Sequence, residues 1–232
     1  MLQSCVFKGG YDRLVGRIAT IRAGRGGGRR VNVFLDGKFA FSLEAEVAVR
    51  EGLRVGQELS AGEIEALAGI DRFHRCLNAA ANYLSYRPRS ESELRERLHR
   101  RGFDGDTVGA VLAGLKEQGL VNDVAFAQYW RDNRESFSPR SQWLTKLELR
   151  QKGVADEIID QVIGAIDDED GAYRAALNKV RGLRQCDYRS FRRRLGEYLK
   201  RRGFGFGVIN RVVERMWQER EDGVSVLSQQ NK

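Results

Sequence analysis

The sequence predicts a mainly α-helical protein: three tandem three-helix repeats forming an elongated curved array, preceded by a small α+β module with a β-hairpin. Three observations carry this. Two stretches, LHRRGF at Leu98–Phe103 and LKRRGF at Leu199–Phe204, are nearly the same, and a paler copy, LRQKGV, fills Leu149–Val154 between them. Such a period is the mark of a repeat architecture. Counted from the glycine of each copy, positions +6, +9, +10 and +13 are apolar every time. They read Val108, Val111, Leu112, Leu115, then Ile159, Val162, Ile163, Ile166, then Ile209, Val212, Val213, Met216. Those offsets lie on one stripe of a helix. Before Asp71, by contrast, apolar residues alternate with period two, as in half-buried strands.

The module comes first. GRIATIRA and RVNVFLDGKFAFSL read as strands, with Val31, Val33 and Leu35 on one face and Phe39 and Phe41 on the next strand. Asp36–Gly37 between them is a hairpin signal, because a type I′ turn needs positive φ at both central residues. A short helix to about Arg50 follows, then LRVGQEL as extended chain. Ser60 with Glu63 forms a capping-box pattern that opens a last helix of the module. GRGGGRR at Gly24–Arg30 has neither P-loop nor dinucleotide spacing and reads as a loop between strands.

The repeats follow. Both prolines of the chain, Pro88 and Pro139, precede an Arg–Ser pair and stop the helix before it. Ser90 then caps the next helix, with Glu93 completing a capping box. The third copy lacks the proline and has one extra residue, so its turn differs. The expected helices are 71–86, 90–101 and 106–118, then 123–136, 141–152 and 155–166, then 168–184, 188–202 and 205–220. Gly102, Gly153 and Gly203 close the middle helices with positive φ, and Leu98, Leu149 and Leu199 face the core. The expected division is a module over 1–70, repeats over 71–122, 123–167 and 168–220, and a flexible tail over 221–232.

Composition narrows the function. No apolar run is long enough to span a bilayer, the N-terminus has no secretory h-region, and Cys5, Cys76 and Cys186 lack metal-like spacing; a cytoplasmic monomer is expected. Two histidines and no HExxH, GxSxG or Cys–His arrangement give no support for catalysis, a metal or a cofactor. The acidic run Ile166–Asp170 reads as helix capping. The net charge of +8 is uneven: residues 171–220 hold 14 basic and 4 acidic side chains, whereas residues 71–170 hold 15 and 18. A basic segment on a near-neutral body points to an anionic partner.

The cations before each glycine are His99, Arg100 and Arg101, then Arg150 and Lys152, then Lys200, Arg201 and Arg202. Last-turn cations complement the helix dipole without any partner. Arg192, Arg193 and Arg194 lie in the first half of their helix, where they oppose the dipole and repel one another, which points to an external anion. Phe103, Phe126, Tyr129, Trp130, Phe191, Tyr198 and Phe204 occupy packing positions rather than a stacking surface.

YLSYRPRSESELRERLHRRGF followed by GLVNDVAFAQYWRDNR resembles the RecX family of bacterial recombination regulators; the later repeats and the VNVFLDGKFAFSL region are similar to that family's helical part and N-terminal module. The resemblance covers about residues 14–220. It implies a non-enzymatic protein that binds the RecA recombinase filament and restrains its ATPase and strand-exchange activities, with single- or double-stranded DNA as a further partner. It carries over no catalytic residue. It does carry over, as positions only, the Arg–Ser helix starts at Arg89, Arg140 and Arg189 and the basic turn before each glycine. Gln151 departs from that pattern and makes the middle repeat the weakest candidate for phosphate contact. A stand-alone DNA-binding protein acting through the third repeat is the second reading, and a peptide-binding helical scaffold the third.

Overall fold

The computed structural model describes residues 14–24, 29–183 and 185–229, with side chains from 16 to 221. Cys5, most of the glycine-rich loop and the last three residues lie outside these. The chain divides into two compact units, 1–83 with 97–114 and 84–96 with 115–232.

Strands β1 (Leu14–Ala23), β2 (Arg30–Leu35) and β3 (Lys38–Glu44) lead into helix α1 (Ala45–Arg50) and strand β4 (Glu58–Ser60). The sheet is antiparallel in the order β3-β2-β1-β4. The hairpin turns at Asp36 (φ 48°) and Gly37 (φ 81°), as expected. One face buries Ile18, Val33, Leu35 and Leu43 against Val47, Leu59 and Leu67.

The capping box forms: Glu63 N–H donates to Ser60 Oγ at 3.2 Å, and Ser60 N–H to Glu63 at 2.8 Å. The helix it opens, α2 (Ala61–Leu84), runs unbroken through the expected boundary at 70/71. No proline interrupts it, and Asp71 serves as a buried tether instead of a helix start. Its carboxylate accepts Glu44 N–H at 2.6 Å and pairs with Arg30 at 3.1 Å. One turn on, burial, followed by the charge of Asp104, pushes the Cys76 thiol up to about 11, so it is protonated at neutral pH.

The remaining helices are α3 (Glu91–Arg100), α4 (Gly105–Glu117), α5 (Asp123–Phe137), α6 (Gln142–Gln151), α7 (Asp156–Ile163), α8 (Asp168–Val180), α9 (Tyr188–Arg201) and α10 (Phe206–Gln229); a 3-10 turn at Arg181–Leu183 ends the third first-helix. Helix α10 continues through Gln229, into the stretch expected as a tail. All twelve residues of the repeated stripe are buried. In the second repeat Ile159, Val162 and Ile163 pack with Phe126 and Leu149, and in the third all four pack with Phe191, Leu195 and Leu199. Among the described residues no helix is long and apolar enough to cross a membrane.

Candidate functional site

The repeated turn is first of all a joint. Ser90 caps α3 by accepting Glu93 N–H at 3.1 Å, and its hydroxyl donates to the Lys152 carbonyl at the end of α6 (2.6 Å). Ser141 caps α6, and its backbone N–H donates to the Arg202 carbonyl at the end of α9 (3.0 Å). An aspartate completes each joint: Asp123 accepts Glu91 N–H at 2.8 Å, and Asp168 accepts Gln142 N–H at 2.7 Å. These are helix N-termini whose free donors are satisfied from the next repeat. Within the acidic run, Asp167 caps α8 through Glu169 and Asp170 N–H, while Asp168 reaches across to α6.

The Arg–Ser arginines and the cations just before the glycines are mostly engaged inside the fold. Arg89, 8% exposed, pairs with buried Glu93 at 2.8 Å, and Arg140 pairs with buried Glu148, which also takes Arg134 and the Trp130 indole. Burial raises the Glu93 pKa, but the Arg87 hydrogen bond and the charges of Arg87, Lys152 and Arg89 outweigh it and hold the carboxyl below its usual range. The cation before each glycine lies over an aromatic ring: Arg101 over Tyr83 (5.4 Å), Lys152 over Trp130 (5.3 Å) and Arg202 over Tyr198 (4.5 Å). Arg202 also donates to Ser138 Oγ at 2.9 Å. Arg150 is ion-paired with Asp156 at 2.6 Å. Arg100 and Arg201 are exposed near helix ends.

The third repeat departs from this pattern. Asp187, not the serine, caps α9 by accepting Ser190 N–H at 2.7 Å, a bond that heads the causes holding its carboxyl below the usual range. Arg189 therefore sits inside the first turn, and among the described residues no buried carboxylate pairs with it. Counted from the glycine, the place of Glu93 is taken by Arg194 and that of Glu148 by Tyr198. Arg189, Arg192, Arg193 and Lys200 then fall on one face of α9 and line a groove of roughly 500 Å3 against α10. Gly196, Ile209 and Val213 lie along it, with Phe206, 75% exposed, in the α10 wall and Glu197 as its carboxylate. Arg194 points elsewhere, 3.7 Å from Cys186 Sγ.

Why this groove is open follows from the second repeat. There, two ion pairs bridge the equivalent helices, Lys146–Asp160 at 2.5 Å and Arg150–Asp156 at 2.6 Å. In the third repeat the same positions, counted from the glycine, carry Gly196 and Asn210, and Lys200 and Phe206. Both bridging acids are gone and one bridging cation has become glycine. What remains is an apolar floor rimmed by four cations, all from one helix. Among the described residues, Arg192, Arg193 and Lys200 have no ion pair. The arrangement has the means to hold an anion that also presents apolar surface. It holds no nucleophile–base pair, and among the described residues no cluster of potential metal ligands occurs.

The sequence reading missed Phe206, Tyr188 and Asn210. Tyr188 lines the groove while its ring meets Trp217 edge-on at 5.3 Å. The signal was present, because laying the second repeat over the third exposes the missing acids.

Comparison with known proteins agrees with the repeat structure. Residues 16–60 match the family model "Regulatory protein RecX N-terminal domain", residues 76–115 "RecX, first three-helix domain" and residues 122–163 "RecX, second three-helix domain". The chain is 31% identical over 197 residues to "Regulatory protein RecX" of Bacillus velezensis, covering 83% of this chain and 74% of that one. It is 29% identical over 207 residues to the protein of the same name from Clostridium perfringens strain SM101, covering 87% and 97%. A crystal structure of regulatory protein RecX superposes with a TM-score of 0.61 at 26% identity, over 86% of this chain and all of that one. RecX from Lactobacillus salivarius shares the fold, with a TM-score of 0.54 at 23% identity over 63% and 97%.

Proposed function

Because the chain belongs to the RecX family of regulatory proteins, we propose that it acts in the cytoplasm, as a monomer, by binding the DNA-bound filament of the RecA recombinase and restraining its ATPase and strand exchange. The docking surface in this reading is the α9–α10 groove, with Arg189, Arg192, Arg193 and Lys200 as the residues that touch the partner. One observation carries it: the third repeat lacks the acids that neutralise the equivalent groove of the second. Cations left unpaired around an apolar floor repel one another, and an anionic partner relieves that repulsion. A filament coated on DNA is such a partner, and electrostatic attraction also speeds its encounter.

The test is inhibition of recombinase ATPase on single-stranded DNA by the Arg189→Gln/Arg192→Gln/Arg193→Gln variant. Inhibition is expected to weaken by about a hundredfold or more, three hydrogen bonds to the partner being lost at roughly 1 kcal/mol or more each. Arg194→Gln, outside the groove, is expected to inhibit like the wild type. A folded triple variant that inhibits normally would overturn the assignment. The second reading, a protein that coats naked DNA, rests on the same groove. Equal affinity for naked DNA and for assembled filaments at near-physiological salt would favour it, with binding that falls steeply as salt rises.

A further inference from the structure

A second cationic cleft, of roughly 560 Å3, lies in the other unit. It is formed by Arg29 just before β2, by Arg75 and Asn78 on one face of α2, and by Arg101 and Phe103 at the turn between α3 and α4. Its carboxylate, Glu44, already accepts the Asn78 amide at 3.0 Å. Among the described residues neither Arg29 nor Arg75 has an ion pair, and Arg101 is held in place over Tyr83. Three guanidinium groups from three separate elements thus converge on one concavity. A cleft of that kind focuses positive potential.

The repeat pattern explains why the cleft is open. In the second and third repeats the glycine turn is covered by the repeat before it. A Cβ on Gly153 would overlap Ser92 Cβ, and one on Gly203 would lie 2.5 Å from Ser141 Oγ. Gly102 has the same positive φ, yet a Cβ there would meet nothing within 4 Å. The first turn has no preceding repeat to cover it, and its cation faces the cleft instead.

We propose that this cleft is a second binding site, one that takes the phosphodiester backbone of nucleic acid. The donors are guanidinium and carboxamide groups spread over three elements, which suits oxyanions repeating along a chain. The single aromatic, Phe103, is half-buried, so there is no pocket for the apolar anchors by which a peptide docks. The volume falls within the range of sites that hold nucleotide-sized ligands, well above that of one small ion. The site lies outside the α9–α10 groove and needs no recombinase for its test.

The experiment is a fluorescence-anisotropy titration of the full chain against a labelled single-stranded oligonucleotide across a salt series. Arg29→Gln/Arg75→Gln removes two cations that brace nothing in the fold, and an unchanged melting temperature checks this. Affinity is expected to fall about tenfold, and the slope of log affinity against log salt to shrink by roughly 1.4, or about 0.7 for each phosphate no longer neutralised. Arg75→Lys, which keeps the charge, is expected to retain most of the affinity. A folded double variant with unchanged affinity and slope overturns the proposal, as does a loss of binding to polyglutamate with none to the oligonucleotide. Adding Arg192→Gln/Arg193→Gln separates the two sites. If the groove reading fails, the cleft effect still stands; if only the groove variant binds less tightly, the cleft proposal falls.

Discussion

Three glycines with the same left-handed backbone do different work at the residue scale. Gly102, Gly153 and Gly203 have φ of 88°, 72° and 86°. At Gly102 only conformational strain opposes a side chain, so Gly102→Ala is expected to cost about 1 kcal/mol. Gly153→Ala and Gly203→Ala add overlap with Ser92 and with Ser141 and Leu144, and are expected to cost roughly 2–4 kcal/mol. Urea unfolding of the three variants measures this; equal costs would contradict the joint. The positive φ was legible in the sequence through the recurring RGF-like turn. The close approach was not, because the opposing serine lies about sixty residues away in the chain. Arg89 and Arg140, candidate surface residues by their place in a motif, instead pair inside the fold with glutamates four and eight residues further along the chain.

At the scale of elements, helix starts are shared between neighbours. Asp168 opens α8 and at the same time accepts the N–H of Gln142 at the start of α6. Burial, against the Gln142 hydrogen bond and with the nearby charge of Asp167, raises its pKa. A carboxylate whose folded pKa lies above its unfolded one costs stability when ionised, and the cost fades as pH falls through the raised value. Asp168→Asn keeps an acceptor for Gln142 and removes that cost. Its expected signature is a stability gain at neutral pH that vanishes on acidification, read from denaturant midpoints across pH. A gain that persists unchanged below the raised pKa would contradict the cause given. Helix existence and the buried stripe were legible from spacing, as were the capping box at Ser60 and the N-cap at Ser90, whereas the Glu93 carboxylate takes Arg87 and Arg89. The unbroken α2 was not, because Asp71 has the residue type of a helix start and only the fold reveals it as a tether to Glu44 and Arg30.

For the whole molecule, charge placement is the link between sequence and function. The excess in residues 171–220 was visible by counting, but counting could not separate cations that brace the fold from those left free. Comparing repeats does separate them: Arg150 meets Asp156, whereas Lys200 has Phe206 at the same position. Restoring the missing acids is therefore the most direct test of the groove. The variant Phe206→Asp/Asn210→Asp puts carboxylates back where the second repeat has them, and filament binding is measured at fixed salt against the wild type. Affinity is expected to fall by at least about tenfold with the melting temperature kept, since two new anions oppose the cationic rim. Wild-type affinity in that folded variant would contradict a filament-binding role for the groove.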